Sequence, residues 1–174
     1  MAGRLLRISA LVGVLGRADA ATALVECVAD TALPLKATKI DSHARELPLS
    51  QSLLTFRFEA IRNWAVSKAT LHFHLASGSP PAILEFALLQ ESWTEREPPR
   101  MDTRKLRYLR RPTKGEPEGW MTLELDPSLI EMVAGGKGTG IALRDRTTAG
   151  AARAIHSRES VHFAPYLIVE GQSR

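Results

Sequence analysis

Beyond residue 50 the chain alternates between apolar and polar positions. Leu54, Phe56 and Phe58 are interleaved with Thr55, Arg57 and Glu59, and Leu71, Phe73 and Leu75 with Thr70, His72 and His74. Leu123 and Leu125 alternate with Thr122 and Glu124, and Ile141 and Leu143 with Ala142 and Arg144. A period of two places every second side chain on one face, as a half-buried strand requires. Ile83–Leu89 is a more continuous apolar stretch, and Tyr166–Val169 closes the series. Gly78-Ser79-Pro80-Pro81, Gly115-Glu116-Pro117-Glu118-Gly119 and Gly135-Gly136-Lys137-Gly138 lie between these segments and read as turns. One stretch breaks the period: Leu129, Ile130 and Val133 fall at helical spacing behind Asp126 and Pro127, a cap and a first helical position. The pattern predicts an all-β fold, an antiparallel two-sheet β-sandwich (jelly roll) with one short helix over Asp126 to Ala134. Strands with one apolar face each usually bury those faces by packing two sheets together.

Length and composition narrow this picture. The chain has 174 residues, 44% of them hydrophobic and 24% charged, which suits one globular domain with a core. No apolar run is long enough to cross a bilayer as a helix. Arg4 and Arg7, the apolar run Ile8 to Gly16 and the small residues of Ala18-Asp19-Ala20 predict a signal peptide over residues 1–20. The domain would then span residues 24–171, in a secreted or cell-envelope protein. An amphipathic N-terminal segment of a cytoplasmic protein is the alternative. Cys27 is the only cysteine, so no intramolecular disulfide can form, and Glu26 before it argues against lipid attachment. The expectation for Cys27 is a small buried residue of the first strand.

Several segments in order carry a resemblance. They are Ala29-Asp30-Thr31, Leu53 to Glu59, Val66 to Phe73 and Glu91-Ser92-Trp93-Thr94-Glu95. Gly119-Trp120 through Leu125, Gly140 to Arg144, and Ser157-Arg158-Glu159-Ser160 with Pro165 to Val169 complete the set. Together they resemble the DNRLRE-type domains, jelly-roll modules that include alginate-binding carbohydrate-binding modules, over roughly residues 29 to 170. The resemblance implies non-catalytic binding of an extracellular polysaccharide. It also implies that Trp93 and Trp120 are packing residues. Jelly rolls of this type often hold calcium in loop oxygens. Here only Asp30 and Asp41 remain as obvious carboxylates in the region, which argues against a preserved site, and no cofactor is expected.

The candidate chemistry lies in a basic segment. Arg100 to Lys114 carries Arg100, Arg104, Lys105, Arg107, Arg110, Arg111 and Lys114 against the single acid Asp102, with Tyr108 among them. Guanidinium groups grip carboxylates and sulfates in a bidentate manner, so Arg104, Lys105, Arg107, Tyr108, Arg110 and Arg111 form the predicted ligand surface for an anionic polysaccharide. A solvated loop whose charges serve solubility is the alternative. Trp64, read as lying in the Glu59-to-Ser67 loop, is the candidate stacking ring, or else a cover for the end of the sandwich. Nucleic acid would also be drawn to such a run, but export and the lack of a nucleic-acid-binding fold signal argue against it. His72-x-His74 places two imidazoles on one strand face, and a zinc site would need His156 or His162 as well. Nothing in the spacing of the acids singles out a catalytic pair, and no nucleophile elbow, P-loop or dinucleotide fingerprint is present, so no catalytic residue is expected. A cell-surface module that docks another envelope protein is the rival reading.

Overall fold

The computed structural model describes residues 20–32, 45–50, 52–95, 99, 102, 105–146 and 153–174. The signal peptide expected over residues 1–20 lies outside them except for Ala20, and so do Asp41 and Arg104. The strands are β1 (Ala21–Ala32), β2 (Glu46–Pro48), β3 (Ser52–Phe56), β4 (Trp64–Ser77) and β5 (Ile83–Leu89). They continue with β6 (Leu109–Gly115), β7 (Trp120–Leu125), β8 (Gly140–Arg144), β9 (Ala154–His156) and β10 (Tyr166–Ser173). The predicted helix forms as α1 (Pro127–Ala134), and the Asp126 carboxylate accepts from the Ser128 N–H at 2.9 Å.

The strands do not form an open two-sheet sandwich. Hydrogen bonding runs β10-β1-β3-β8-β5-β6-β7-β4, and β4 pairs back onto β10, so the wall closes as an eight-stranded antiparallel barrel. Two strands make the closure by changing partners along their length. Residues 21–26 of β1 pair with β10, and after a register shift between Cys27 and Ala29 its second half pairs with β3. Likewise Leu109 to Pro112 of β6 pair with β5, whereas Thr113 to Gly115 pair with β7. The period-two pattern is the same for a sandwich and a barrel, since both alternate in and out; only the partner changes in β1 and β6 distinguish them.

The barrel interior is filled. Phe73 from β4 and Phe86 from β5 are fully buried with Leu54, Leu71, Leu84 and Leu123, each worth about 1.5–3 kcal/mol relative to exposure. One end is closed by α1, which sends Leu129, Ile130 and Val133 into the core. A register shift leaves Ser67 as an extra residue in β4, and the neighbouring Val66 N–H donates to Glu131 of the helix at 2.8 Å. At the other end of β4, the β2–β9 ribbon brings Leu47 and Ile155 into the same core. Among the described residues the interior is taken up by this core, which directs the search for a ligand surface to the outside of the barrel.

The outer side of β3, β5 and β8 is covered. The segment that leaves β5 lays Trp93, Leu106 and Tyr108 over Leu53, Leu89 and Ala142 in a second, smaller apolar cluster. Trp64 opens strand β4, opposite Ser173 of β10, and packs against the main core rather than standing in a loop.

The closing seam gives a direct test. A methyl group on Gly171 would stand 2.5 Å from the Ala65 carbonyl oxygen, where β10 meets β4. Gly171→Ala should lower the unfolding free energy by about 1–3 kcal/mol in urea denaturation, because the clash is with backbone. An unchanged midpoint would contradict the tight seam.

Candidate functional site

The predicted basic surface is only partly assembled. Lys105 and Arg107 are exposed on the approach to β6, and Arg110 and Arg111 are exposed on β6 itself. Strand structure begins at Leu109, so the alternation expected from Arg104 onwards covers less of the segment. Tyr108 turns inward: the Arg144 guanidinium lies 3.4 Å from its ring centroid. Arg144 also holds Glu85 at 2.7 Å, and Arg110 approaches that same carboxylate at 3.5 Å. Glu85 is thus shared between two cations, which leaves β6 with positive charge to spare. Trp64 is not brought to this group, since β7 stands between β4 and β6 in the strand order.

A second surface was not legible as a site. On β4, Leu71 and Phe73 point into the core, so His72 and His74 point out. On β7 the same alternation turns Trp120 and Thr122 outward, and on β10 Tyr166 and Ile168. The register aligns Tyr166, His72, Thr122 and Lys114 in one row across β10, β4, β7 and β6. At about 4.8 Å per strand that row is roughly 14 Å long. Tyr166 stacks on His72 with ring centroids 4.7 Å apart and planes 8° apart. Trp120 meets Tyr166 at 5.5 Å and His74 at 5.4 Å. Phe163, from the turn before β10, lies 4.1 Å from His74 and 5.0 Å from His156 of β9. Six rings from four strands and one turn therefore form one patch. Trp120 sits on this outer face, partly exposed, and not in the core position that the resemblance implies. Burial lowers the pKa of His72, with the Glu116 carboxylate opposing, so its imidazole is a neutral flat ring at neutral pH.

Three of the motifs behind the resemblance meet beside this patch. Arg158 donates to both oxygens of Glu95, at 2.5 and 3.0 Å, and contacts Glu159 at 3.0 Å. Asp30, next to the β1 register shift, accepts from the Arg158 backbone N–H at 2.6 Å. The cluster ties β1 to the segment after β5 and to the turn before β10. A cavity of about 240 Å³ adjoins it, lined by Glu26, Cys27, Arg158, Ala164, Pro165 and Tyr166. Cys27 is half-buried, and burial with the nearby Asp30 charge pushes its thiol pKa far up, which makes it a poor nucleophile. Glu95 is engaged by Arg158 and Asp30 is buried, so neither is offered to a substrate. Among the described residues, no three His, Cys, Asp or Glu side chains gather as a metal ion requires, although His156 does come beside His74. No family model matches this chain, and no curated protein matches its sequence.

Asp30 sets a pH dependence. Its burial, with the Glu95 charge adding and the Arg158 N–H opposing, pushes its carboxyl pKa up to about 6. Between pH 4 and 6 the folded chain holds a proton that the unfolded chain has released, so stability falls as pH rises through that interval. In urea denaturation at pH 4 and pH 7, Asp30→Asn should remove a decrease of the order of 2 kcal/mol that the wild type shows. Identical pH profiles for the two proteins would contradict this.

Proposed function

We propose that this protein is a non-catalytic module of the secreted or cell-envelope kind that binds an acidic polysaccharide on the outer face of β10, β4, β7 and β6. The observation that carries this reading is the row from Tyr166 and His72 through Thr122 to Lys114, with Trp120 beside it. Sugars present apolar C–H faces and hydroxyl edges. Rings with a polar edge, such as Trp, Tyr and neutral His, complement both. The β6 end supplies charge: Lys114 ends the row and Arg110 shares its face of the strand, whereas Arg111, opposite the core residue Leu84, starts from the other face. Carboxylate or sulfate groups would lie toward that edge, because Glu26 and Glu116 stand near the aromatic part. The filled interior and the covered opposite face support the choice of this surface. The order of the motifs shared with DNRLRE-type domains favours the same reading.

A second reading, docking of another envelope protein on this face, is favoured by Val161, 81% exposed in the turn before β10, and Leu24, 61% exposed beside Ile168.

Affinity-gel electrophoresis in alginate, pectate and a sulfated glycan separates them. Trp120→Ala and Tyr166→Ala should each weaken retardation by at least about tenfold, or 1.4 kcal/mol. The pair Arg110→Ala with Lys114→Ala should weaken it and flatten its salt dependence. Absence of retardation by all three glycans would contradict polysaccharide binding, and envelope proteins captured in a pull-down that Trp120→Ala abolishes would favour the second reading.

A further inference from the structure

The turn before β7 is shaped around His74. Glu118 has φ +61° without being glycine, and Gly119 follows at φ +84°. A left-handed residue other than glycine, here Glu118, costs backbone energy and persists only where the surroundings hold it, whereas Gly119 takes its φ freely. Here they bring the Glu118 carbonyl oxygen 2.7 Å from His74 Nε2. A carbonyl can only accept, so Nε2 carries the proton, and in the neutral ring Nδ1 is left as a bare acceptor. That Nδ1 atom is buried and has no hydrogen-bond partner among the described residues. It lies within the aromatic patch, with the Phe163 ring 4.1 Å from the imidazole and 37% exposed. Gly119 is needed as well: a Cβ there would stand 3.0 Å from Nε2 and disturb the ring.

An orphaned buried acceptor is an unfavourable feature, and a group that donates to it recovers the loss. We infer that His74 is the specificity-determining acceptor of the aromatic face, receiving a hydrogen bond from a ligand hydroxyl through Nδ1 when Phe163 is displaced. The inference rests on the polysaccharide reading above and adds to it which group is read. The strained turn fixes the tautomer, the rings fix the plane of the sugar, and Nδ1 selects a hydroxyl donor over an ether or carboxylate oxygen at that position. Lys114 and Arg110 answer the ligand's charge; His74 answers its hydroxyl pattern.

Two measurements test it on the full chain. In ¹⁵N spectra of the free protein, His74 should show protonated Nε2 and bare Nδ1, and the Nδ1 signal should shift when alginate or pectate oligosaccharides are added. The opposite tautomer, or no shift at saturating ligand, would overturn the inference. In binding, His74→Gln keeps a donor for the Glu118 carbonyl but loses the acceptor, whereas His74→Asn keeps an oxygen near the Nδ1 position. The Gln variant should bind at least about tenfold more weakly than wild type and the Asn variant should lie between them. Equal affinities of wild type and the Gln variant, with Trp120→Ala still impaired, would overturn the role of His74 alone. Wild type that binds none of the glycans would overturn the polysaccharide reading and this inference with it. Should the Gln variant fail to fold, the tautomer and the Nδ1 shift of the wild type decide the matter.

Discussion

The wall of this protein closes because β1 and β6 each hydrogen-bond to two different neighbours along their length. Without those partner changes, β10 and β3 on one side, and β5 and β7 on the other, would end as unpaired edges. Such edges invite pairing with other chains and leave backbone groups without protein partners. The register shift between Cys27 and Ala29 gives β1 the bend it needs to pass from β10 to β3. Closure around Phe73, Phe86 and their neighbours then places the main core of the described residues inside the wall, with α1 and the β2–β9 ribbon adding to it at the two ends of β4. The outer faces are thereby the surfaces on which the proposed binding would take place.

The two outer faces are treated differently. Over β3, β5 and β8 the chain folds back on itself, with Trp93, Leu106 and Tyr108 making a second apolar cluster and Arg144 lying between Tyr108 and Glu85. Over β10, β4 and β7 the wall stays open, and its rings stand at the surface. The Asp30–Arg158–Glu95 cluster links the two regions: Glu95 belongs to the segment that starts the cover, and Arg158 to the turn that delivers Phe163. A change at this cluster would disturb the open face without touching a ring.

Much of this was legible in the chain, and the rest was hidden for definite reasons. Alternation located β3, β4, β7 and β8, because each buries one face, and the Asp126-Pro127 cap located α1. Closure was not legible, since which strand β1 and β6 pair with depends on contacts distant in sequence. The short strands β2 and β9 carry too few residues for a period to show. Charge density drew attention to Arg104 to Arg111, but it could not tell that Tyr108 faces inward or that Arg110 shares Glu85. The spacing of His72 and His74 places them as a pair on one face. Their ring partners Trp120, His156, Phe163 and Tyr166 arrive from other elements, so the patch exists only in the folded chain. The motif residues Asp30, Glu95 and Arg158 are far apart in sequence, and the fold brings them together.

The central claim is that ligand is held on the open outer face and not inside the barrel or on the covered side. Backbone amide chemical-shift mapping with alginate or pectate oligosaccharides tests it most directly. The account predicts that the largest shifts fall on His72, His74, Trp120, Thr122 and Tyr166, with smaller ones along β6 at Arg110 and Lys114. Shifts centred on Leu89, Trp93 and Lys105 to Tyr108, with the residues of the open face unmoved, would contradict it.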